Sequence, residues 1–329
     1  MESPCVLPFG IMNLDCSVRL VRYEPKYKAQ WDEFVLQSKN GVFLFCRDYL
    51  EYHADRFSDL SLLFFRKDQL VALMPANRVD DTVVSHGGLT FGGIISGVQM
   101  TTTLMLSVFE VMLRELRVQG VTKLIYKSIP HIYHTAPAEE DLYALFLLNA
   151  RLFRRDVSST IARGRKLPYT EEREAALRKA TSHGLTVEQT SDFPQYMATV
   201  AAGLKARYGV LPAHTAAEIQ LLAGRFPENI RLFASSRDGK MLSGVIVYES
   251  ANVAHVQYIG TTSKGRMLGA LDAVMSFLLN NVYSEKPYFD FGTSTVENGR
   301  SLNPGLIGNK EGYGARATVY DFYELNLET

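Results

Sequence analysis

A repeated order of predicted elements constrains the fold of this chain more than any other feature. In each half, three strand-like segments precede a glycine-containing loop, a helix follows the loop, and a buried strand follows the helix. The loops lie at 87–97 and 260–269. The apolar positions of the two helices are spaced by three and four residues: Leu106, Phe109, Leu113 and Leu116, then Leu268, Leu271, Met275, Leu278 and Val282. The repeated order predicts one fold used twice.

The length and composition allow two domains and exclude a global attraction to polyanions. The chain has 329 residues, of which 47% are hydrophobic and 21% are charged, so each half can bury its own core. The 35 basic residues are balanced by 35 acidic ones, and a polyanion site must therefore be local. We predict an α/β protein with mixed sheets, a flexible tail at 1–16, a first domain at 17–165 and a second domain at 166–329.

Neither the cysteines nor the start of the chain indicates an exported or membrane-spanning protein. The three cysteines, at positions 5, 16 and 46, form no CxxC pair and no even framework, which suits a reducing compartment. The start of the chain lacks the basic region and apolar run of a signal peptide. No segment approaches the roughly 18 apolar residues of a membrane span. These features predict a cytoplasmic protein.

The strongest local positive charge lies between the two halves. Residues 151–166 contain six basic residues and one acid, and the turn that ends this segment carries Arg163, Arg165 and Lys166. Such a cluster can receive the phosphates of a nucleic acid such as tRNA. It can equally form a solvated face between two domains, and the sequence leaves both interpretations open.

Residues 288–325 have the pattern of a site at the end of a sheet. An apolar strand carries Asp290 and ends at Gly292, and a loop rich in glycine and asparagine then leads to Lys310. Burial of Asp290 would suit a general base, and Lys310 could stabilise an oxyanion or a phosphate. The alternatives are a structural carboxylate bonded to loop amides and a solvated loop lysine.

Three short motifs resemble the Fem peptidyltransferase branch of the GNAT acyltransferase superfamily. LRKA at 177–180, followed by GL at 184–185, resembles the end of a Fem helix before a strand. YFDFG at 288–292 resembles the Fem strand with a glycine exit, and NKEGYG at 309–314 resembles its Lys-x-x-aromatic-Gly motif. The likeness covers residues 18–327 and implies two tandem GNAT-like domains, each a mixed β-sheet flanked by helices.

The resemblance implies transfer of an acyl or aminoacyl group to an amine. It places Lys310 in the active site, with the second domain on the donor side and the first on the acceptor side. The donor-side residues that we expect are Arg266, Gly269, Tyr258, Tyr313 and Gly314. The acceptor-side residues that we expect are Thr90 and Phe91, in the long glycine loop of the first half.

One departure from the family pattern concerns the donor. The GNAT pyrophosphate loop reads Gln/Arg-x-x-Gly-x-Gly/Ala, whereas residues 266–271 read RMLGAL and end in Leu271. Acyl-coenzyme A remains the expected donor co-substrate, with no permanently bound cofactor and no metal. Aminoacyl-tRNA is the alternative donor, because Fem enzymes that use it also lack a good coenzyme A loop.

The sequence therefore predicts an N-acyltransferase that transfers an acetyl or other acyl group, rather than an aminoacyl group. Its expected acceptor is an amine of a cell-wall, nucleotide-sugar or polysaccharide precursor. Two alternatives stay open. One is a peptidyltransferase that depends on aminoacyl-tRNA, and the other is a tandem GNAT fold that binds a nucleotide or glycan without catalysing transfer.

Overall fold

The computed structural model describes residues 17–328, so the tail predicted at 1–16 lies outside the described residues. The described chain divides into two compact units. The second unit is Asp156–Thr318, and the first contains the residues up to Arg155 and those from Val319. Both limits fall inside strands, whereas the limit predicted at 165/166 lies in a turn. A boundary inside a continuous strand leaves no mark in the sequence.

The first unit begins with short helices and an antiparallel region. Its elements, in chain order, are β1 (Val18–Arg22), α1 (Lys28–Gln37), α2 (Arg47–Leu50), β2 (Ser58–Asp59), β3 (Leu62–Arg66), β4 (Gln69–Met74), β5 (Asn77–Val79), β6 (Thr82–Val84), β7 (Ile95–Ser96), α3 (Thr102–Val118), β8 (Lys123–Lys127) and α4 (Glu140–Leu147). Strand β9 (Arg151–Ala162) begins in this unit and ends in the second. Single turns of 3₁₀-helix at 25–27, 43–45, 51–53 and 131–133 connect these elements.

The second unit is built around a longer sheet. Its elements are α5 (Glu171–Ser182), β10 (Thr186–Thr190), α6 (Phe193–Tyr208), α7 (Ala216–Arg225), β11 (Ile230–Arg237), β12 (Lys240–Glu249), β13 (Val253–Thr261), α8 (Ser263–Leu268), α9 (Ala270–Phe277), β14 (Tyr288–Thr293), β15 (Thr295–Val296), β16 (Ser301–Leu302) and α10 (Pro304–Glu311). The last strand, β17 (Arg316–Asn326), begins here and ends in the first unit. Within residues 17–328, no helix combines the length and the apolar character needed to cross a membrane.

Helix α3 organises the core of the first unit. The Thr101 hydroxyl caps its N-terminus by accepting a hydrogen bond from the Leu104 amide at 3.3 Å. Its apolar face, which includes Phe109 and Met112, packs on strands of two sheets. One sheet has the order β1-β3-β4-β7, and the other places β8 between β17, which is antiparallel to it, and β6, which is parallel.

The sheet of the second unit has the order β10-β11-β12-β13-β14-β9. Its neighbouring strands are antiparallel except for β13 and β14, which pair in parallel over three residues each. Helix α9 covers one face, with Val274 and Met275 in a core that also contains Phe289 and Phe291. Consecutive strand residues point to opposite faces, so Asp290 lies on the face away from α9.

The predicted fold class is confirmed, because each half contains the expected strands, glycine loop, helix and strand. Two local predictions were wrong. Lys310 lies on helix α10 rather than on a loop, because Asn303 caps that helix and Pro304 occupies its first turn. The second helix, predicted from the apolar positions Leu268 to Val282, is broken at Gly269, where φ is +71°.

Candidate functional site

Asp290 is held at the centre of the second sheet by hydroxyl groups from the neighbouring strand. Its side chain is 0% exposed. Strand β9 pairs Thr160 with Asp290, and Oδ1 of the carboxylate accepts hydrogen bonds from Ser158 Oγ at 2.5 Å and Thr160 Oγ1 at 2.9 Å. These bonds satisfy a buried carboxylate that would otherwise be costly to desolvate. They fix the orientation of Asp290 and shield it from solvent.

The other carboxylate oxygen of Asp290 contacts a histidine on strand β13. The parallel register pairs His255 with Asp290, and the His255 Nδ1 lies 2.7 Å from Oδ2. An ionised carboxylate can only accept, so Nδ1 donates, and the neutral imidazole then carries its lone pair on Nε2. The His255 side chain is 17% exposed, in contrast to the fully buried Asp290. The two residues form an ordered His–Asp pair.

The free edge of the His255 ring faces a glycine. Gly292 has φ of +76°, and a Cβ placed there would lie 3.4 Å from Cε1 and 3.9 Å from Nε2 of His255. The positive φ favours glycine at this position. A glycine also leaves no side chain in front of Nε2.

Lys310 approaches the same glycine from helix α10. Its Nζ donates hydrogen bonds to the carbonyl oxygens of Gly292 at 2.7 Å and Thr293 at 2.8 Å, and the residue is 4% exposed. Burial lowers the pKa of Lys310 to about 8, although the nearby Asp290 charge opposes this shift. The Asn303 side chain fixes α10 by accepting a hydrogen bond from the Leu306 amide at 3.0 Å. Lys310 therefore binds the end of β14 while remaining protonated at neutral pH.

Tyr313 joins three elements behind this site. Its ring stacks on Phe291 with centroids 5.6 Å apart and planes at 13°. Its hydroxyl donates to Asp272 Oδ1 at 2.9 Å, and Arg173 Nη1 donates to the same oxygen at 3.0 Å. Tyr313 is 1% exposed. These contacts give the residue a packing role, and donor binding by Tyr313 stays a prediction.

Two glycines predicted on the donor side are needed for close packing. Gly314 has φ of +92°, and a Cβ there would lie 2.3 Å from the Leu167 carbonyl oxygen. Gly269 has φ of +71°, and a Cβ there would lie 2.2 Å from the Ala176 carbonyl oxygen. Real Cβ atoms do not approach oxygen so closely, so backbone contact accounts for both glycines. Their contact with a donor also stays a prediction.

Of the two remaining donor-side candidates, Tyr258 lies beyond the part of β13 that pairs with β14, and Arg266 lies on α8. Arg266 is exposed, and its guanidinium folds back over the start of α8, donating to Thr261 O at 2.8 Å and Ser263 Oγ at 3.1 Å. The Tyr258 hydroxyl lies 2.8 Å from His214 Nδ1 and accepts a hydrogen bond from the His214 amide at 3.2 Å. Arg266 thus places a cation beside the first turn of α8, whereas Tyr258 fixes the segment that precedes α7.

In the first unit, the two acceptor-side candidates have different environments. Thr90 is exposed on the glycine loop. Phe91 is 3% exposed, and its ring packs against Tyr133, Phe45 and Tyr320 with centroids 4.5, 6.0 and 6.0 Å apart. Thr90 is accessible to an acceptor, and Phe91 anchors the loop that presents it.

The basic turn is partly neutralised by its neighbours. Arg163 forms an ion pair with Glu285, and Lys166 donates to Asn280 Oδ1 at 2.7 Å. Arg165 is exposed. Exposed ion pairs are weak and are screened by salt, so Arg163 can exchange Glu285 for a phosphate, and the exposed Arg165 and Lys166 are accessible to one.

The structure thus brings Asp290 and Lys310 together around Gly292, and it adds His255, which was not among the predicted site residues. One signal could have found it. His255 is the third residue of β13, and Asp290 is the third residue of β14. These two parallel strands pair from their first residues, so residues at equal distances from the strand starts lie side by side.

The described chain contains no cluster of three or more His, Cys, Asp or Glu side chains arranged for a metal.

A comparison with protein families identifies the region around this site. Residues 170–299 match the family described as an acetyltransferase (GNAT) domain. The second unit is therefore similar to a GNAT domain over these residues. The match begins at the cap of α5 and includes β13, α8 and β14, the elements that carry His255, Arg266 and Asp290. A GNAT domain supports a transferase of acyl or aminoacyl groups, and GNAT acetyltransferases generally use acyl-coenzyme A.

Solved structures show the same fold over most of the chain. The crystal structure of FemX is similar with a TM-score of 0.65 and 10% identity, covering 92% of this chain and 96% of that one. L-PGS from Bacillus licheniformis gives 0.56 and 13%, covering 79% and 82%. The C-terminal domain of a putative lysylphosphatidylglycerol synthetase from Agrobacterium fabrum gives 0.58 and 10%, covering 92% of each chain. The likeness to a FemAB-like tandem-GNAT protein is confirmed at the level of the fold.

A search of curated protein sequences gave no significant match.

Proposed function

We propose that the chain is a cytoplasmic N-acyltransferase that moves an acetyl or other acyl group from acyl-coenzyme A to an amine. The observation that carries this proposal is the cluster at the end of the β13–β14 pairing, where His255, Asp290 and Lys310 surround Gly292 within the GNAT fold. The proposed acceptor is a cell-wall, nucleotide-sugar or polysaccharide precursor, by resemblance to the Fem enzymes. The second unit is the proposed catalytic and donor side.

Catalysis of this reaction needs little beyond positioning and charge stabilisation. Holding donor and acceptor together can supply about 7 to 11 kcal/mol in the best cases. Lys310 donates two hydrogen bonds to backbone carbonyls, and an ammonium group has three N–H bonds, so one is left for an oxygen of the substrate. In this proposal Lys310 holds the end of β14 and favours negative charge on the reacting carbonyl.

Of the residues near α8, Arg266 fits an anionic donor and Leu271 does not follow the family pattern. The exposed guanidinium of Arg266 lies beside the first turn of that helix, where positive charge from backbone amides also accumulates. Arg266 would meet the pyrophosphate of coenzyme A, and the bound thioester would supply the activated acyl group. Leu271 departs from the small residue of the family loop, so a direct binding test comes first.

The donor can be tested by calorimetry with coenzyme A and acetyl-coenzyme A. We expect micromolar binding that Arg266→Glu weakens at least tenfold. Arg237→Glu, at the hairpin between β11 and β12, is the matched control and should bind as the unmodified chain does. Transfer is then measured as thiol release from acetyl-coenzyme A with glucosamine and with lysine. Binding without release would favour the alternative of a non-catalytic binding protein, and absence of binding would reject a coenzyme A donor.

A second candidate is transfer of an aminoacyl group from aminoacyl-tRNA. Support comes from the fold likeness to FemX and to two proteins whose titles carry L-PGS or lysylphosphatidylglycerol synthetase. Arg163, Arg165 and Lys166 are then the proposed phosphate contacts. Because released counterions drive such binding, affinity for lysyl-tRNA should fall steeply with salt. Changing all three residues to Gln should reduce that salt dependence, and an unchanged dependence would reject these contacts.

A further inference from the structure

The geometry points to His255 as the catalytic base of the second unit, with Asp290 as the residue that positions it. This inference rests on the proposed function, since it names the group that takes the proton from the attacking acceptor. The sequence predicted Asp290 as the base. The contacts of its two carboxylate oxygens instead indicate that Asp290 positions the base and that His255 is the base.

Asp290 cannot contact a substrate directly, because its side chain is 0% exposed and both of its oxygens accept hydrogen bonds. Ser158 and Thr160 fix Oδ1, and His255 occupies Oδ2. A carboxylate in this position does two things for an imidazole. It selects the tautomer with the proton on Nδ1, and it stabilises the imidazolium that forms when Nε2 receives a proton.

His255 is the member of the pair that can reach a substrate. Its side chain is 17% exposed, and its Cε1–Nε2 edge faces the Cα of Gly292. The strand and the helix that pack against β13 present tyrosines near this position. Tyr248 pairs with His255 from β12, and α6 reaches β13 through Tyr196, whose hydroxyl contacts the Tyr258 carbonyl oxygen at 2.9 Å.

Lys310 lies close enough to Asp290 to interact with its charge, but it does not compete for the role of base. Its ammonium donates to the carbonyls of Gly292 and Thr293, on the far side of the same glycine. Its pKa of about 8 keeps it protonated at neutral pH. A protonated lysine donates hydrogen bonds and cannot accept a proton.

The proposed step balances as follows. The acceptor nitrogen forms a bond to the acyl carbon, and its proton passes to Nε2 of His255. The bond from the acyl carbon to the sulfur of the thioester then breaks, and the thiolate takes a proton from the imidazolium. The products are the amide and the free thiol, and His255 returns to its neutral form.

The test uses the full chain with acetyl-coenzyme A and the amine that gives thiol release. His255→Ala should lower kcat by about 10²- to 10⁴-fold, the usual range for loss of a general base. Its dissociation constant for coenzyme A should stay within threefold, which also shows that the variant is folded. Added imidazole should restore part of the lost rate, because a small base can occupy the space that the side chain leaves. His183→Gln, at the end of α5, is the control and should keep the original kcat.

Asp290→Asn supplies a second variant in which His255 is retained. Loss of the carboxylate removes the stabilisation of the imidazolium, so kcat should fall at least tenfold while the dissociation constant for coenzyme A stays within threefold. A His255→Ala rate within threefold of the original, or a rate that imidazole does not raise, would overturn the inference while leaving the proposed transferase intact. Absence of thiol release from the unmodified chain with every amine would instead reject the proposed function.

Discussion

Each unit contains a pair of parallel strands, and the two pairs differ at the residue where pairing ends. In the first unit, β6 and β8 pair over three residues and end at Val84 opposite Ile125. In the second unit, β13 and β14 pair over three residues and end at His255 opposite Asp290. The backbone arrangement is the same, but one pair ends in aliphatic side chains and the other in a base and a carboxylate.

The chain beyond these pairs differs as well. In the first unit, the glycine loop returns across the strand end: the Gly92 amide donates to Lys127 O at 2.9 Å, and the Lys127 ammonium donates to Leu89 O. In the second unit, β13 continues to Thr261 and α8 follows directly. The first unit therefore uses this position to pack its own loop, whereas the second presents the His255 ring edge beside Gly292. This contrast supports the proposal that the second unit is the catalytic one.

The largest expected effect is on the pH dependence of the free energy of unfolding. It comes from two buried lysines, one in each unit. Burial lowers the pKa of Lys127 from 10.5 to about 7 and that of Lys310 from 10.5 to about 8. At a pH above these pKa values, each lysine is neutral in the folded chain but still binds a proton in the unfolded chain. The free energy of unfolding therefore rises with pH up to 10.5. At about 1.4 kcal/mol per unit, the rise between pH 6.5 and 9.5 is about 3 kcal/mol for Lys127 and about 2 kcal/mol for Lys310.

Lys127→Met and Lys310→Met should each remove their own part of this rise. Trp31, the single tryptophan, is buried in the first unit, so its fluorescence during urea unfolding reports on the unit that contains Lys127. Circular dichroism follows the rest. Each variant serves as the control for the other, because the Lys127 contribution begins one pH unit lower. Equal pH dependence in the two variants and the unmodified chain would contradict the prediction.

A second test breaks the loop packing of the first unit. Gly93 has φ of +85°, and a Cβ there would lie 2.7 Å from the fully buried ring of Tyr126. Gly93→Ala combines strain at positive φ with overpacking, each of which costs about 1 to 3 kcal/mol. The control is Gly120→Ala, where φ is +71° but no atom lies within 4 Å.

We therefore expect Gly93→Ala to lose about 2 kcal/mol more than Gly120→Ala in urea unfolding followed by Trp31 fluorescence. The excess measures how tightly the loop is held by Tyr126, whose hydroxyl accepts a hydrogen bond from the Ile94 amide at 2.8 Å. Equal losses in the two variants would mean that the loop can move away, and the first unit would then resemble the second more closely.

Much of the architecture could be predicted because it depends on local patterns. The three-four spacing of apolar residues predicts α3, and the order of strands and loops predicts one fold used twice. The prediction that Lys310 lies on a loop was wrong, and the cause is also local. Asn303 and Pro304 are a signal for the start of a helix, but the surrounding glycines favoured a loop. Glycine weakens a helix by only about 1 kcal/mol, which contacts elsewhere in the fold can offset.

The candidate site was harder to predict because it depends on register. Asp290 could be proposed from its place in an apolar strand, but its bonds to Ser158, Thr160 and His255 join residues 35 to 132 positions apart. No periodicity encodes such contacts. The roles of Gly269 and Gly314 were obscure for the same reason, because the carbonyl oxygens that exclude a side chain belong to distant segments.

The smallest expected effect on stability gives the sharpest test of the comparison. Gly292→Ala adds a methyl group at ordinary contact distance from His255, so its cost is only the strain of a positive φ, about 1 kcal/mol. Gly239→Ala, with φ of +69° and open space around it, should cost the same. The new methyl group would stand 3.9 Å from Nε2 of His255, so Gly292→Ala alone should slow transfer and slow modification of His255 by diethyl pyrocarbonate. If both variants react at the rate of the unmodified chain, substrates do not approach His255 past Gly292. The open strand end would then not be the feature that distinguishes the second unit from the first.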